Sequence, residues 1–194
     1  MSDISEWERK GCPLYQKTPW PKNSTELDLD WVLKTFEQHH KRMHNLAMKL
    51  IRCFAVGLGK REDYFDPWFK DESTAVFRGL HYLPRPADVI LDNKNDQKLV
   101  APEHSDSGFI TLLTTFMFPG LQVLFEGEYR SIKSVKNAIV INIGATLEKI
   151  SNNKIVATRH RVLDIGYERY STPFFFEPKF SARISNNTLS SKRQ

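Results

Sequence analysis

His104 and Asp106 stand two residues apart in Pro102-Glu103-His104-Ser105-Asp106-Ser107-Gly108, and His160 opens a later apolar run, His160-Arg161-Val162-Leu163. Side chains two apart on an extended strand point to one face, so an imidazole and a carboxylate there can share a metal ion. With His160 on an adjacent strand, two imidazoles and one carboxylate form one face of an octahedron. The opposite face stays open for substrate and dioxygen, an arrangement that suits Fe(II). Zinc accepts the same ligands and would be inert towards dioxygen. The plain alternatives are a surface strand end for the pair and a hydrogen-bonded core histidine for His160. Arg169 and Ser171 are again two apart and share a face on a strand. A guanidinium grips a carboxylate through two parallel hydrogen bonds, and a hydroxyl donates a third. Here the plain alternative is a strand-end arginine with a turn serine ahead of Pro173.

Such groups need strands to aim them. After Ser73 short apolar runs alternate with turn residues: 75–82, 89–91, 108–115, 121–125, 129–132, 138–143, 155–157, 161–165 and 172–176. This spacing predicts an all-β sandwich or barrel, interrupted by one helical turn near 146–150. Ahead of it, Val32, Phe36, Met43, Leu46, Ala47, Leu50, Ile51 and Phe54 recur with helical spacing over about 28–56. Ser24 or Thr25 is the expected cap, and Gly57 and Gly59 the stop. A short second helix is expected at 62–69. Cys53 falls on the apolar side of the long helix and is expected to be a buried thiol. His39, His40 and His44 are expected on a solvated helix face.

Bulk composition narrows the class. The 194 residues are 40% hydrophobic and 26% charged, with a formal net charge of +5, enough for a sizeable core. No apolar run approaches the roughly 18–20 residues of a membrane span. Two cysteines, Cys12 and Cys53, are too few for a disulfide framework. The N-terminus lacks an apolar signal region, and a cytoplasmic location is expected. The basic residues are scattered, so no nucleic-acid or membrane partner is expected.

The ordered motifs closely resemble one family. They are Arg78-Gly79-Leu80-His81-Tyr82-Leu83-Pro84, His104-x-Asp106, Gly120-Leu121-Gln122-Val123, Val140-Ile141-Asn142-Ile143-Gly144, Leu147-Glu148-Lys149-Ile150-Ser151-Asn152-Asn153, His160-Arg161-Val162 and Arg169-Tyr170-Ser171-x-Pro173-Phe174-Phe175. Together, over about residues 75–180, they resemble the isopenicillin N synthase-like group of Fe(II)- and 2-oxoglutarate-dependent dioxygenases. The resemblance implies a mainly β fold with N-terminal helices, a double-stranded β-helix or jelly roll. It implies Fe(II) held by His104, Asp106 and His160, and 2-oxoglutarate anchored by Arg169 and Ser171 with Tyr82 nearby. Asn142 is expected beside the metal ligands without being one. The implied reaction consumes dioxygen and 2-oxoglutarate, aided in vitro by ascorbate. It oxidises a small organic molecule by hydroxylation, desaturation or ring closure, releasing succinate and carbon dioxide.

The expected layout is an arm with helices packing on the barrel over 1–73, a jelly-roll core over 74–184 and a disordered tail over 185–194, one structural domain overall. The chain departs from the family by a short N-terminus, which is expected to affect stability and the substrate pocket and to favour self-association if a sheet edge is left open. His81, Leu83 and Ala145 replace residues commoner in the family. Two alternatives follow: a relic that binds metal or 2-oxoglutarate without turnover, and an oxidase relative that keeps the Arg-x-Ser pair without using 2-oxoglutarate.

Overall fold

The structure, a computed structural model, describes residues 11, 18, 20–70, 73–85 and 98–184. The expected strand at 89–91 and the tail at 185–194 lie outside the described residues. Two compact units are present. One runs to Thr74 and takes in Pro178–Ala182; the other covers Ala75–Glu177.

In the first unit, α1 (Leu29–Gly57) is capped by Asp28, whose side chain accepts from the Trp31 amide at 3.0 Å. Ser24 and Thr25 are not the cap. Ser24 instead pairs with Leu27 in a tight bridge, and Asp28, directly ahead of the first helical residue, satisfies the free amide. The buried stripe is Met43, Ala47, Ile51 and Ala55, one residue per turn. The helix stops as expected, with Gly59 at φ 73°. The second helix is shorter than expected. Turns fill its first part, and Pro67 in the first turn fixes the start of α2 (Asp66–Phe69). Arg52 holds Asp66 through two bonds of 3.1 and 2.7 Å. Cys53 is exposed, against expectation, because it lies off the Met43–Ala55 stripe. His39, His40 and His44 are half-buried, less exposed than expected. Among the described residues no helix is long and apolar enough to cross a membrane.

The second unit is the jelly roll, built from two antiparallel sheets. Its strands are β1 (Val76–Phe77), β2 (Leu80–Tyr82), β3 (Leu99–His104), β4 (Ile110–Thr114), β5 (Leu121–Phe125), β6 (Glu128–Ser131), β7 (Val140–Ile143), β8 (His160–Leu163) and β9 (Arg169–Phe176), with α3 (Ala145–Ile150) between β7 and β8. One sheet has the order β1-β9-β4-β7 with β2 also on β9, and the other has β3-β8-β5-β6. The first half of the run 75–82 and its second half keep one register against β9, from Val76 opposite Phe175 to Tyr82 opposite Arg169. Glu126 and Gly127, with φ of 53° and 81°, close the two-residue β5–β6 hairpin.

Two expectations need correction here. The run 155–157 is not a strand. Ser151 Oγ accepts from the Ile155 amide at 3.0 Å and donates to the Glu148 carbonyl. This local side-chain bonding draws the segment into a turn instead of a ladder. Conversely, the strand expected at His104 from its spacing with Asp106 starts earlier, as β3 (Leu99–His104), where Pro102 and Glu103 interrupt any apolar alternation.

Candidate metal and co-substrate site

The inward faces of both sheets line one cavity of about 320 Å³. Alternation along β9 selects the lining: Arg169, Ser171, Pro173 and Phe175 face in, while Phe174 and Phe176 are fully buried on the other face. Opposite them on β2, Leu80 and Tyr82 face in, and on the next strands Thr111, Leu113 and Asn142 do so.

His104 and His160 are direct partners in the β3–β8 register. Glu103 in β3 and Arg159, directly ahead of β8, form an ion pair beside them. Asp106 does not share the strand with His104, as its spacing had suggested, because β3 ends at His104. The loop that follows carries the carboxylate in. Amides at the start of α3 fix that loop: Ala145 donates to the Asp106 carbonyl at 2.8 Å and Thr146 to the Gly108 carbonyl at 3.0 Å. Gly144 lies so close to Gly108 that a Cβ there would collide with the Gly108 carbonyl, so glycine is required for this approach.

The result is a triad. One ligand atom from each of His104, Asp106 and His160 lies within 4.8 Å of the others. Each histidine Nε2 is 3.8 Å from Asp106 Oδ1, too long for a hydrogen bond. Both Nδ1 atoms face backbone carbonyls, Pro102 at 2.7 Å and Thr158 at 3.0 Å. A carbonyl only accepts, so Nδ1 carries the proton, and both Nε2 lone pairs point at the carboxylate. Two lone pairs aimed at an anion call for a cation between them. Asn142 holds the other carboxylate oxygen, Oδ2, at 3.4 Å, and is buried. This is the outer hydrogen bonding that orients metal ligands. The donor set fits a divalent cation of the Fe(II) or zinc type. Burial, with Asp106 adding to it, raises the Glu177 carboxyl above the ordinary carboxylate range.

The second constellation is equally compact. Arg169 is 4% exposed and Ser171 5%. The Arg169 guanidinium stacks on the Tyr82 ring at 3.6 Å, and its Nη2 is buried without a hydrogen-bond partner. An orphaned guanidinium nitrogen in a closed site costs free energy unless an anion meets it. A hydroxyl two residues on, facing the same cavity, completes a carboxylate cradle. A dianionic 2-oxo acid therefore fits the residues present. All six expected site residues, Tyr82, His104, Asp106, His160, Arg169 and Ser171, line this cavity. So does Arg78, to which the sequence reading gave no role; its signal was the two-residue spacing Arg78, Leu80, Tyr82.

Residues 76–178 match the family model described as 2OG-Fe(II) oxygenase superfamily. Among curated relatives, a 2-oxoglutarate-Fe(II) type oxidoreductase hxnY of Emericella nidulans is 34% identical over 81% of this chain and 44% of its own length. Isopenicillin N synthase of Penicillium rubens is 34% identical over 76% of this chain and 46% of its own. Among solved structures, a full-length Neurospora crassa protein in complex with alpha-KG superposes with a TM-score of 0.79 at 30% identity, over 92% of this chain and 56% of that one. A structure of JOX2 in complex with 2OG, Fe and JA gives a TM-score of 0.72 at 26% identity, over 86% of this chain and 46% of that one. The chain thus spans about half the length of the proteins it matches.

Proposed function

The chain belongs to the 2OG-Fe(II) oxygenase superfamily, and on that premise we propose that it oxidises a small organic substrate with 2-oxoglutarate and dioxygen. His104, Asp106 and His160 hold Fe(II), and Arg169 with Ser171 holds the distal carboxylate of 2-oxoglutarate. When bound, the iron and the 2-oxo acid supply an oxidant made by splitting dioxygen, with succinate and carbon dioxide as by-products. The protein's own residues do the rest. The carbonyls of Pro102 and Thr158 fix the histidine tautomers. Asn142 leaves one Asp106 oxygen turned towards the histidines. The Tyr82 ring holds the Arg169 guanidinium flat and shielded from water, which strengthens its grip on an anion.

One observation carries the reading: a buried, partnerless Arg169 nitrogen lines the same cavity as two histidine lone pairs converging on a carboxylate. The experiment is release of carbon dioxide from 1-labelled 2-oxoglutarate in air, with Fe(II) and ascorbate, against a panel of small organic substrates. Release should need iron and vanish in His104→Ala, Asp106→Ala and His160→Ala. Release at an unchanged rate in any of these variants would refute the assignment. Iron-dependent oxygen uptake that ignores 2-oxoglutarate would transfer the protein to the oxidase relatives.

A further inference from the structure

The cavity holds a second guanidinium that the proposed chemistry does not use. Arg78 is bonded in register opposite Pro173: its amide donates to the Pro173 carbonyl at 3.0 Å, continuing the alignment that sets Leu80 against Ser171 and Tyr82 against Arg169. It therefore belongs to the inward column of Leu80 and Tyr82, and its side chain lines the cavity. The strand rise puts it roughly 13 Å along the ladder from Tyr82. The Arg169 guanidinium stays over the Tyr82 ring, so one carboxylate is not placed to serve both arginines.

The charges around the cavity leave Arg78 over. Among the described lining residues Asp106 is the one acid. It offsets half the charge of a divalent ion, and a 2-oxo diacid offsets the other half together with Arg169. No ion pair joins Arg78 to another described residue. It is exposed, which places it at the cavity's opening, while Leu113, Phe118, Leu121, Val162 and Phe175 give the rest an apolar wall.

We propose that Arg78 binds an anionic group on the primary substrate, and that the site takes a small, largely apolar monocarboxylate with its charge at the opening and its apolar body inward. This rests on the function proposed above and adds the substrate class.

The test is calorimetric titration of the Fe(II)-loaded protein, kept anaerobic and saturated with 2-oxoglutarate so that Arg169 is occupied. The probes are straight-chain acids from butanoate to octanoate and 3-phenylpropanoate, each beside its primary amide. A charge-assisted hydrogen bond predicts that at least one acid binds about 10-fold or more tighter than its amide. That preference should disappear in Arg78→Ala and persist in Arg78→Lys, with 2-oxoglutarate affinity unchanged in both. Lack of preference for the acid in every pair, absence of binding included, overturns the proposal. So does a preference that survives Arg78→Ala, or loss of 2-oxoglutarate binding in that variant, which would make Arg78 part of the co-substrate cradle. Failure of the wild-type protein to bind 2-oxoglutarate at the outset would instead bring down the underlying function.

Discussion

Replacing Arg169 with Met keeps the length of the side-chain stem and removes the charge, and the structure sets the size of the effect. Arg169 is 4% exposed, so its bond to a carboxylate would be largely desolvated. Removing one partner of such a pair costs about 2–5 kcal/mol, which is a loss of about 30- to 5,000-fold in 2-oxoglutarate affinity. The free protein should hardly notice. The variant loses a stacking contact on Tyr82 worth about 0.5–2 kcal/mol, and it also loses the cost of a buried nitrogen without a partner. The two effects oppose each other. Thermal unfolding with and without ligand separates these outcomes. At 100 times its Kd, 2-oxoglutarate should stabilise the wild-type protein by about 2.7 kcal/mol, and at the same concentration Arg169→Met should gain no more than about 0.9 kcal/mol. A ligand control completes the cycle. 2-Oxopentanoate, with a methyl group in place of the distal carboxylate, should bind both proteins alike. An Arg169→Met variant that kept the wild-type preference for 2-oxoglutarate over 2-oxopentanoate would refute the reasoning.

Asn142→Leu removes the bond to Asp106 Oδ2, and loss of such an outer partner should weaken Fe(II) binding about 10- to 100-fold, measured by competition with a chelator. Phe174→Ala opens a void at a fully buried site and should cost about 3–5 kcal/mol in denaturant unfolding. Burial lowers the pKa of His39 and His44, helped by Arg42 and His40 at His39 and by His40 at His44. Their stabilising effect is then present above the unfolded value near 6.5 and is lost as pH falls below it. The unfolding midpoint of His39→Gln/His44→Gln should consequently vary less between pH 7 and pH 5 than that of the wild type.

The chemistry was more legible in the sequence than the scaffold that aims it. Arg169, Ser171 and Tyr82 sit on regular strands, where two-residue spacing translates directly into a shared face. The helix start was misread because several polar residues compete for the cap, and the one adjacent to the first turn prevails. The route of Asp106 into the site was misread for a different reason. Its position depends on α3 amides and on the Gly108–Gly144 approach, contacts made about 40 residues away in sequence and invisible to local patterns. The run leading into His104 was hidden because its residues answer to the site and to an ion pair with Arg159, not to an apolar alternation. Among the phenylalanines 174–176, alternation settles the division: Phe175 lines the cavity and its neighbours pack behind.

The central claim is that one cavity holds the metal and the 2-oxo acid together. Anaerobic titration of the Fe(II)-loaded protein with 2-oxoglutarate, followed by the weak visible metal-to-ligand charge-transfer band, tests it most directly. The account predicts a saturable band that is absent in His160→Ala and shifted to much higher 2-oxoglutarate concentration in Arg169→Met. Iron binding with no band at any 2-oxoglutarate concentration would contradict it.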